Sequence, residues 1–228
     1  MNKVETENNQ YWLNRWQNND VENFCQESPN EFLVKHFPKL KVSDFSTCVI
    51  PMCGCSIDIL FFLYKGIKVI GIELSEKAVI SFFTQNHIEY EVIEEDGYKY
   101  YKGDSVVIYV SDIFNLPKIA KNLPEFDIWY DRGAYIALPS ELRAKYAKMM
   151  LEVCSEKTQI LLLVMEHDKN PEIQTPPFSA SQSELINNFS PSIEFKLIDS
   201  ELREDIPDYR KAEGMTFQYY KAYIKKQD

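Results

Sequence analysis

Glycine is scarce in this chain, with seven residues in 228. Only Gly54 lies in the turn after the first strong apolar run, in the segment Pro51-Met52-Cys53-Gly54-Cys55-Ser56. A dinucleotide-binding turn uses the pattern G-x-G-x-x-G so that the backbone can approach a pyrophosphate at a helix N-terminus. Without those glycines a nicotinamide oxidoreductase is disfavoured. Histidine is scarcer still: the three residues, at 36, 87 and 167, are scattered. The five cysteines, at 25, 48, 53, 55 and 154, are odd in number, and one pair is two residues apart. That argues against a secreted disulfide framework and for a reducing, cytoplasmic compartment. Zinc sites take four converging ligands on wider loops, so Cys53-x-Cys55 reads better as turn and core packing, and no metal is expected. No apolar run reaches membrane-spanning length, and the N-terminus MNKVETENNQYW lacks the apolar core of a signal peptide. Basic residues are in the minority, 25 against 35 acidic, for a net charge of −10. That balance argues against nucleic acid or an anionic membrane as partner, because phosphate binding rests on basic patches.

What is present is concentrated between residues 48 and 73. An apolar run, the turn at 51–56, an apolar helical segment, Gly66 and a second apolar run at 69–72 end on Glu73. This is strand, tight turn, helix, strand, acid. A carboxylate ending the second strand, about 20 residues past the turn, is placed to accept hydrogen bonds from ribose hydroxyls. A nucleoside without phosphate suits a turn with one glycine, which makes S-adenosylmethionine a better fit than NAD. The plainer alternative is an ordinary βαβ unit whose Glu73 caps or solvates a helix.

The pattern continues along the chain. Residues 10–37 are helical in pieces, with Trp12 and Trp16 at helical spacing, either packed in the core or forming an aromatic lid over a cationic ligand. Helices are expected at 56–64, at 77–85 with Ser75 as N-cap, at 139–154 and at 182–189. Strands are expected at 69–74, 106–110, 126–130 and 159–165. Residues 90–104 carry turn signals at Asp96-Gly97 and Gly103-Asp104 and read as a hairpin or a polar insertion. Residues 171–179 form a loop, and alternating strands at 193–202 and 217–224 suit an antiparallel closing pair. The rhythm predicts one doubly wound α/β domain with a mixed sheet. Ligands of such sheets sit at the carboxyl ends of the strands. Those ends are residues 52–56, Glu73, Asp112-Ile113, Asp131-Arg132 and residues 166–168, and Arg132 is the only cation among them. Next to Asp131 it is either an ion pair propping a loop or a guanidinium that recognises a carboxylate or polarised heterocycle.

Seven landmarks in this order resemble the thiopurine S-methyltransferase family of class I S-adenosylmethionine-dependent methyltransferases. They are Trp12 and Trp16, Asn23-Phe24-Cys25-Gln26, the turn at 51–56, residues 69–76, residues 112–117, residues 131–134 and Pro176-Pro177-Phe178. The match runs from Tyr11 to about Lys225. The resemblance implies a Rossmann-like α/β fold with a mostly parallel seven-stranded sheet and an antiparallel closing hairpin. It implies a single domain, 1–228, with an N-terminal helical lid at about 10–37. It also implies S-adenosyl-L-methionine as cofactor, with S-adenosyl-L-homocysteine as product. Trp12, Trp16 and Phe24 would close over the cofactor; Met52 and Gly54 would line its methionine and ribose side; Glu73 would hold the ribose; Asp112 and Ile113 would flank the adenine. Arg132 would sit near both cofactor and acceptor, with Asp131 orienting it; these two are the catalytic candidates. The implied reaction is methyl transfer to the sulfur of a thiopurine-like heterocyclic thiol, by a monomer acting on a small molecule. The alternatives are another acceptor (an oxygen, nitrogen, selenium or tellurium species) and a non-catalytic cofactor-binding module. The chain departs from the family pattern at several positions: Cys25 stands for a histidine, Met52 for a leucine, Cys55 for a lysine, Asp112 for a serine and Thr175 for a glycine. An acceptor-side arginine near the C-terminus has only a shifted counterpart in Arg210.

Overall fold

A computed structural model describes residues 2–22, 25–43, 46–170 and 172–226. The chain divides into two compact units, Met1–Tyr130 with Val153–Gln159, and Asp131–Glu152 with Ile160–Asp228.

The first unit opens with α1 (Lys3–Gln17) and α2 (Glu31–His36). α1 starts seven residues before the first expected helical position, because Asn2 caps it by accepting from the N–H of Glu5 at 2.9 Å. Its polar first half carries no apolar stripe from which that start could be read. The parallel strands β1 (Thr47–Pro51) and β2 (Lys68–Glu73) are joined through α3 (Asp58–Tyr64). Ile59 and Phe62 on α3 are fully buried, each contributing about 1.5–3 kcal/mol relative to exposure. Next comes α4 (Glu76–Gln85), capped by the Ser75 hydroxyl, with Ala78, Val79, Phe82 and Phe83 buried. The hairpin β3 (Glu91–Glu95) and β4 (Tyr98–Lys102) resolves residues 90–104. Asp96 and Gly97 both have positive φ, 53° and 78°, the conformation of a two-residue I′ turn.

β5 (Val106–Val110) pairs parallel with β2 and antiparallel with β4. A short α5 (Leu116–Ile119) follows it. β6 (Ile128–Arg132) begins two residues later than expected, and its first part pairs parallel with β1. The Asp127 carboxylate takes the N–H of Thr47 at 2.8 Å, a side-chain bond where the sequence predicts strand backbone. The strand order of this unit is β3-β4-β5-β2-β1-β6.

The second unit contains α6 (Ala134–Ala137), most of α7 (Ser140–Val153), most of β7 (Gln159–His167), α8 (Gln182–Phe189), β8 (Phe195–Arg203), α9 (Asp208–Ala212) and β9 (Gln218–Lys225). β9 pairs antiparallel with β7 on one side and with β8 on the other, the latter with a register shift between Leu197 and Asp199. Nearly all of β7 is buried, as its unbroken apolar run requires. The described residues thus form nine strands. Seven match the expected set, and the β3–β4 hairpin supplies the other two.

Candidate active site

The turn between β1 and α3 is built by its backbone. Met52 and Gly54 both have positive φ, 46° and 54°. For Met52 this is a conformation L side chains seldom adopt and functional turns often hold. The N–H of Cys53 donates to Ile72 O at 3.0 Å and that of Ser56 to Cys53 O at 3.1 Å, so the turn folds back on the end of β2. Glu73 locks it there. Its Oε2 accepts from the N–H of Gly54 at 2.8 Å and its Oε1 from the N–H of Ser75 at 2.7 Å. Glu73 is only 6% exposed, and burial pushes its carboxyl up from the ordinary value, opposed by the backbone N–H groups of Ser75, Gly54 and Leu74. A carboxylate has about four lone-pair positions. With one N–H on each oxygen it keeps acceptor capacity for a hydroxyl on each, an acceptor set that suits a ribose diol.

The first helix bears directly on this turn. Trp16 is buried, and a Cβ at position 54 would come within 3.2 Å of Trp16 Cζ2, so a larger residue there would press on the indole as well as hold a positive φ. Asn9 Nδ2 donates to Asp112 Oδ2 at 2.6 Å, while Asp112 Oδ1 accepts from the N–H of Phe114 at 2.9 Å. Lys77 Nζ ties the end of α1 to the start of α4 by donating to Gln17 O at 3.2 Å and Asn19 Oδ1 at 2.7 Å. Ile113 is buried beside Asp112, and the N–H of Ser111 donates to Glu73 O at 2.8 Å. Trp12 is half-buried, edge-on to Tyr11 with centroids 5.2 Å apart. The structure therefore joins Trp16, Gly54 and Glu73 directly and links Asp112 to the same helix. Phe24 lies outside the described residues. Asn9 was missed by the sequence reading, although it shares a helix face with Trp12 and Trp16 at i+3 and i+7.

In the second unit, Asp131 and the half-buried Arg132 lie at the end of β6. Asp131 is fully buried and accepts from Tyr146 Oη–H at 2.6 Å and from the N–H groups of Ala134 and Tyr135 at 3.1 and 3.2 Å. Burial raises its pKa to about 6, against the opposing pull of those donors and of Arg143. Arg143, 1% exposed, donates to the carbonyls of Tyr135, Leu138, Phe178 and Ser179 and to the carboxylate of Glu184 at 2.8 Å. Nothing in the sequence pattern singles it out.

The acids at the end of β7 are engaged within the same unit. Glu166 pairs with Lys221. Burial would raise the Asp168 pKa, but donors from Thr216 and Phe217 outweigh it and hold the group at about 2. His167 Nδ1 accepts from the N–H of Lys169 at 3.2 Å, so its Nε2–H donates to Pro177 O at 3.0 Å; burial lowers its pKa. Arg210 is buried and donates to Gln218 Oε1 at 2.9 Å. Among the described residues, no group of three or more His, Cys, Asp or Glu is placed to hold a metal, and no helix is long and apolar enough to cross a membrane.

Solved structures of similar shape define the class. A SAM-dependent methyltransferase from Anabaena variabilis superposes with a TM-score of 0.63 at 13% identity, covering 95% of this chain and 94% of that one. The 1,6-didemethyltoxoflavin-N1-methyltransferase of Burkholderia thailandensis, with bound 1,6-didemethyltoxoflavin and S-adenosylhomocysteine, gives 0.60 at 15% identity over 96% and 87%. At these identities the likeness fixes the fold, that of a class I S-adenosylmethionine-dependent methyltransferase.

The family model described as thiopurine S-methyltransferase matches residues 7–226. The thiopurine S-methyltransferase of Francisella tularensis subsp. tularensis strain FSC 198 is 74% identical over 226 residues, 99% of each chain. That of Pseudomonas entomophila strain L48 is 32% identical over 213 residues, 93% of this chain and 96% of that one. The chain belongs to the thiopurine S-methyltransferase family, and its cofactor is S-adenosyl-L-methionine.

Proposed function

We propose that this protein methylates the sulfur of a thiopurine-like heterocyclic thiol, acting as a cytoplasmic monomer on a small molecule, with neither nucleic acid nor membrane as partner. The family match over residues 7–226 supports reading 1–228 as one methyltransferase domain with the helical segment at about 10–37 as its lid. The acceptor class is that named for the Francisella relative. The observation that carries the cofactor side is the Glu73 carboxylate bound to the N–H groups of Gly54 and Ser75, with acceptor positions left for two sugar hydroxyls.

When bound, S-adenosylmethionine supplies a methyl group made electrophilic by its sulfonium centre. Glu73 holds the ribose. Met52 and Gly54 line the methionine and ribose side, and Asp112 with Ile113 flanks the adenine. Trp12 and Trp16 cover the nucleoside and exclude water, which strengthens every charge interaction beneath them. Heterocyclic thiols ionise readily, so alignment rather than a strong base is what the protein contributes. Arg132 provides positive charge for the anionic acceptor. Asp131 acts as a positioning residue: its three donors fix the strand end that carries Arg132.

The test is Arg132→Ala with labelled cofactor and a thiopurine acceptor. Turnover is expected to fall about 100-fold while the dissociation constant for S-adenosylhomocysteine stays within about threefold. Unchanged transfer would remove Arg132 from the reaction, and transfer only to an oxygen, nitrogen, selenium or tellurium acceptor would replace the proposed substrate class.

A further inference from the structure

Two positions where this chain departs from its family pattern, Cys25 and Cys55, meet in space. Their Sγ atoms are 2.7 Å apart, although 30 residues separate them in sequence. That is only ~0.65 Å beyond the ~2.05 Å of a sulfur–sulfur bond, and it leaves no room for a third atom between them. Both side chains are half-exposed, so a small reagent can reach them.

The approach is held from both sides. The N–H of Asn30 donates to Asp58 Oδ1 at 2.7 Å, fixing the segment after Cys25 on the start of α3. Asp58 is itself fully buried; its Oδ2 accepts from Tyr130 Oη–H at 2.9 Å and its N–H donates to Ser56 Oγ at 3.2 Å. On the other side of Cys25, its own N–H donates to Val21 O at 2.9 Å. Cys55 follows Gly54, whose N–H is bound by Glu73. Two of the remaining cysteines differ. Cys48 and Cys53 are buried and their thiols are pushed up by that burial, so they are poor nucleophiles.

We propose that Cys25 and Cys55 are a redox modification site: a dithiol that closes to a reversible disulfide by exchange with a low-molecular-weight disulfide. The thiolate of one cysteine attacks the small disulfide, forming a mixed disulfide and releasing one small thiol. The second protein thiolate then displaces the other small thiol and forms the Cys25–Cys55 bond. The protein loses two protons and two electrons, and the small disulfide is reduced to two thiols. The bridge links the segment between α1 and α2 to the cofactor turn. It therefore holds the N-terminal cover on that turn and slows nucleoside exchange, a consequence that rests on the cofactor-site reading above.

The experiment treats the full-length protein with oxidised glutathione and reads intact mass and a proteolytic map. The expected result is loss of two hydrogens, a linked peptide pair carrying Cys25 and Cys55, and full reversal by dithiothreitol. Cys25→Ser and Cys55→Ser should each carry a glutathione adduct on the remaining cysteine of the pair and no bridge, whereas Cys154→Ser should bridge like the parent. Separate adducts on Cys25 and Cys55 of the parent, or a bridge through Cys154, overturn the proposal. Release of S-adenosylhomocysteine should be about tenfold slower from the bridged protein than from the reduced one. Equal release rates overturn the locking role. Reduced protein that binds no S-adenosylhomocysteine overturns the cofactor-site reading instead, and the bridge is then judged by mass alone.

Discussion

Glu73 in the first unit and Asp131 in the second are both buried carboxylates that accept backbone N–H groups and both are pushed up by burial, yet they are embedded differently. The partners of Glu73 belong to the turns next to it in the βαβ unit, Gly54 and Ser75. Asp131 adds the hydroxyl of Tyr146, on a helix 15 residues further along. Around it, the second unit relies on long side chains that reach many backbone groups, Arg143 above all. The first unit makes its site from backbone conformation and short local bonds. The second holds its loops with buried charge. Local bonds of the first kind are shared between adjacent turns, so loss of one partner leaves the other in place. A buried cation serving four carbonyls and a carboxylate has no substitute.

The largest expected effect follows from that contrast. Arg143→Met should destabilise the protein by about 3–5 kcal/mol in urea denaturation, because the carbonyls of Tyr135, Leu138, Phe178 and Ser179 and the Glu184 carboxylate lose their donor. A loss under about 1 kcal/mol would break the comparison.

Asp131 gives the next effect, through pH. Its native pKa of about 6 lies above the ordinary 3.8. A raised acid favours the folded state fully below its unfolded pKa, and that contribution is lost as pH rises through the folded pKa. The loss should amount to ~3 kcal/mol between about pH 4 and pH 6. Asp131→Asn keeps an acceptor for Ala134 and Tyr135 and a donor for the Tyr146 oxygen, so its stability should lack that slope. Parallel curves of denaturation midpoint against pH for parent and variant would show that Asp131 is not the titrating group.

Glu73→Gln sharpens the local side of the comparison. One oxygen becomes an amide that donates, so one of the two N–H groups loses its acceptor and, on the proposed cofactor reading, so does one sugar hydroxyl. S-adenosylhomocysteine binding should weaken by about 1.5–3 kcal/mol, roughly 10- to 150-fold by calorimetry. Asn9→Ala removes the link from α1 to Asp112 and should weaken the same binding by about 0.5–1.5 kcal/mol. If Asn9 mattered as much as Glu73, α1 rather than the turn would organise the site.

Legibility followed the same division. The strand–turn–helix–strand–acid run was readable because apolar periodicity, a turn glycine and the terminal acid all lie within 26 residues, 48–73. The cap at Ser75 and α8 over Gln182–Phe189 were readable for similar reasons. The polar start of α1 was not, since Asn2 and not an apolar face begins it. The short helices α6 and α9 carry too few residues for any periodicity. β6 began late because a side chain, Asp127, took a backbone partner. At the site, Glu73 and Gly54 were visible in the sequence. The Asn9–Asp112 link was visible only as a shared helix face, and the meeting of Cys25 with Cys55 was not visible at all.

The chain's own pattern determined the alternation of elements, the single-glycine turn and the acid that ends β2, because each depends on conformational preferences acting over a few neighbouring residues. The tertiary structure alone decided that Trp16 covers Gly54, that Arg143 reaches the carbonyls of Phe178 and Ser179 and that two cysteine sulfurs touch. Those contacts join residues far apart in sequence, and the packing of whole elements, which no local preference encodes, sets the distance between them.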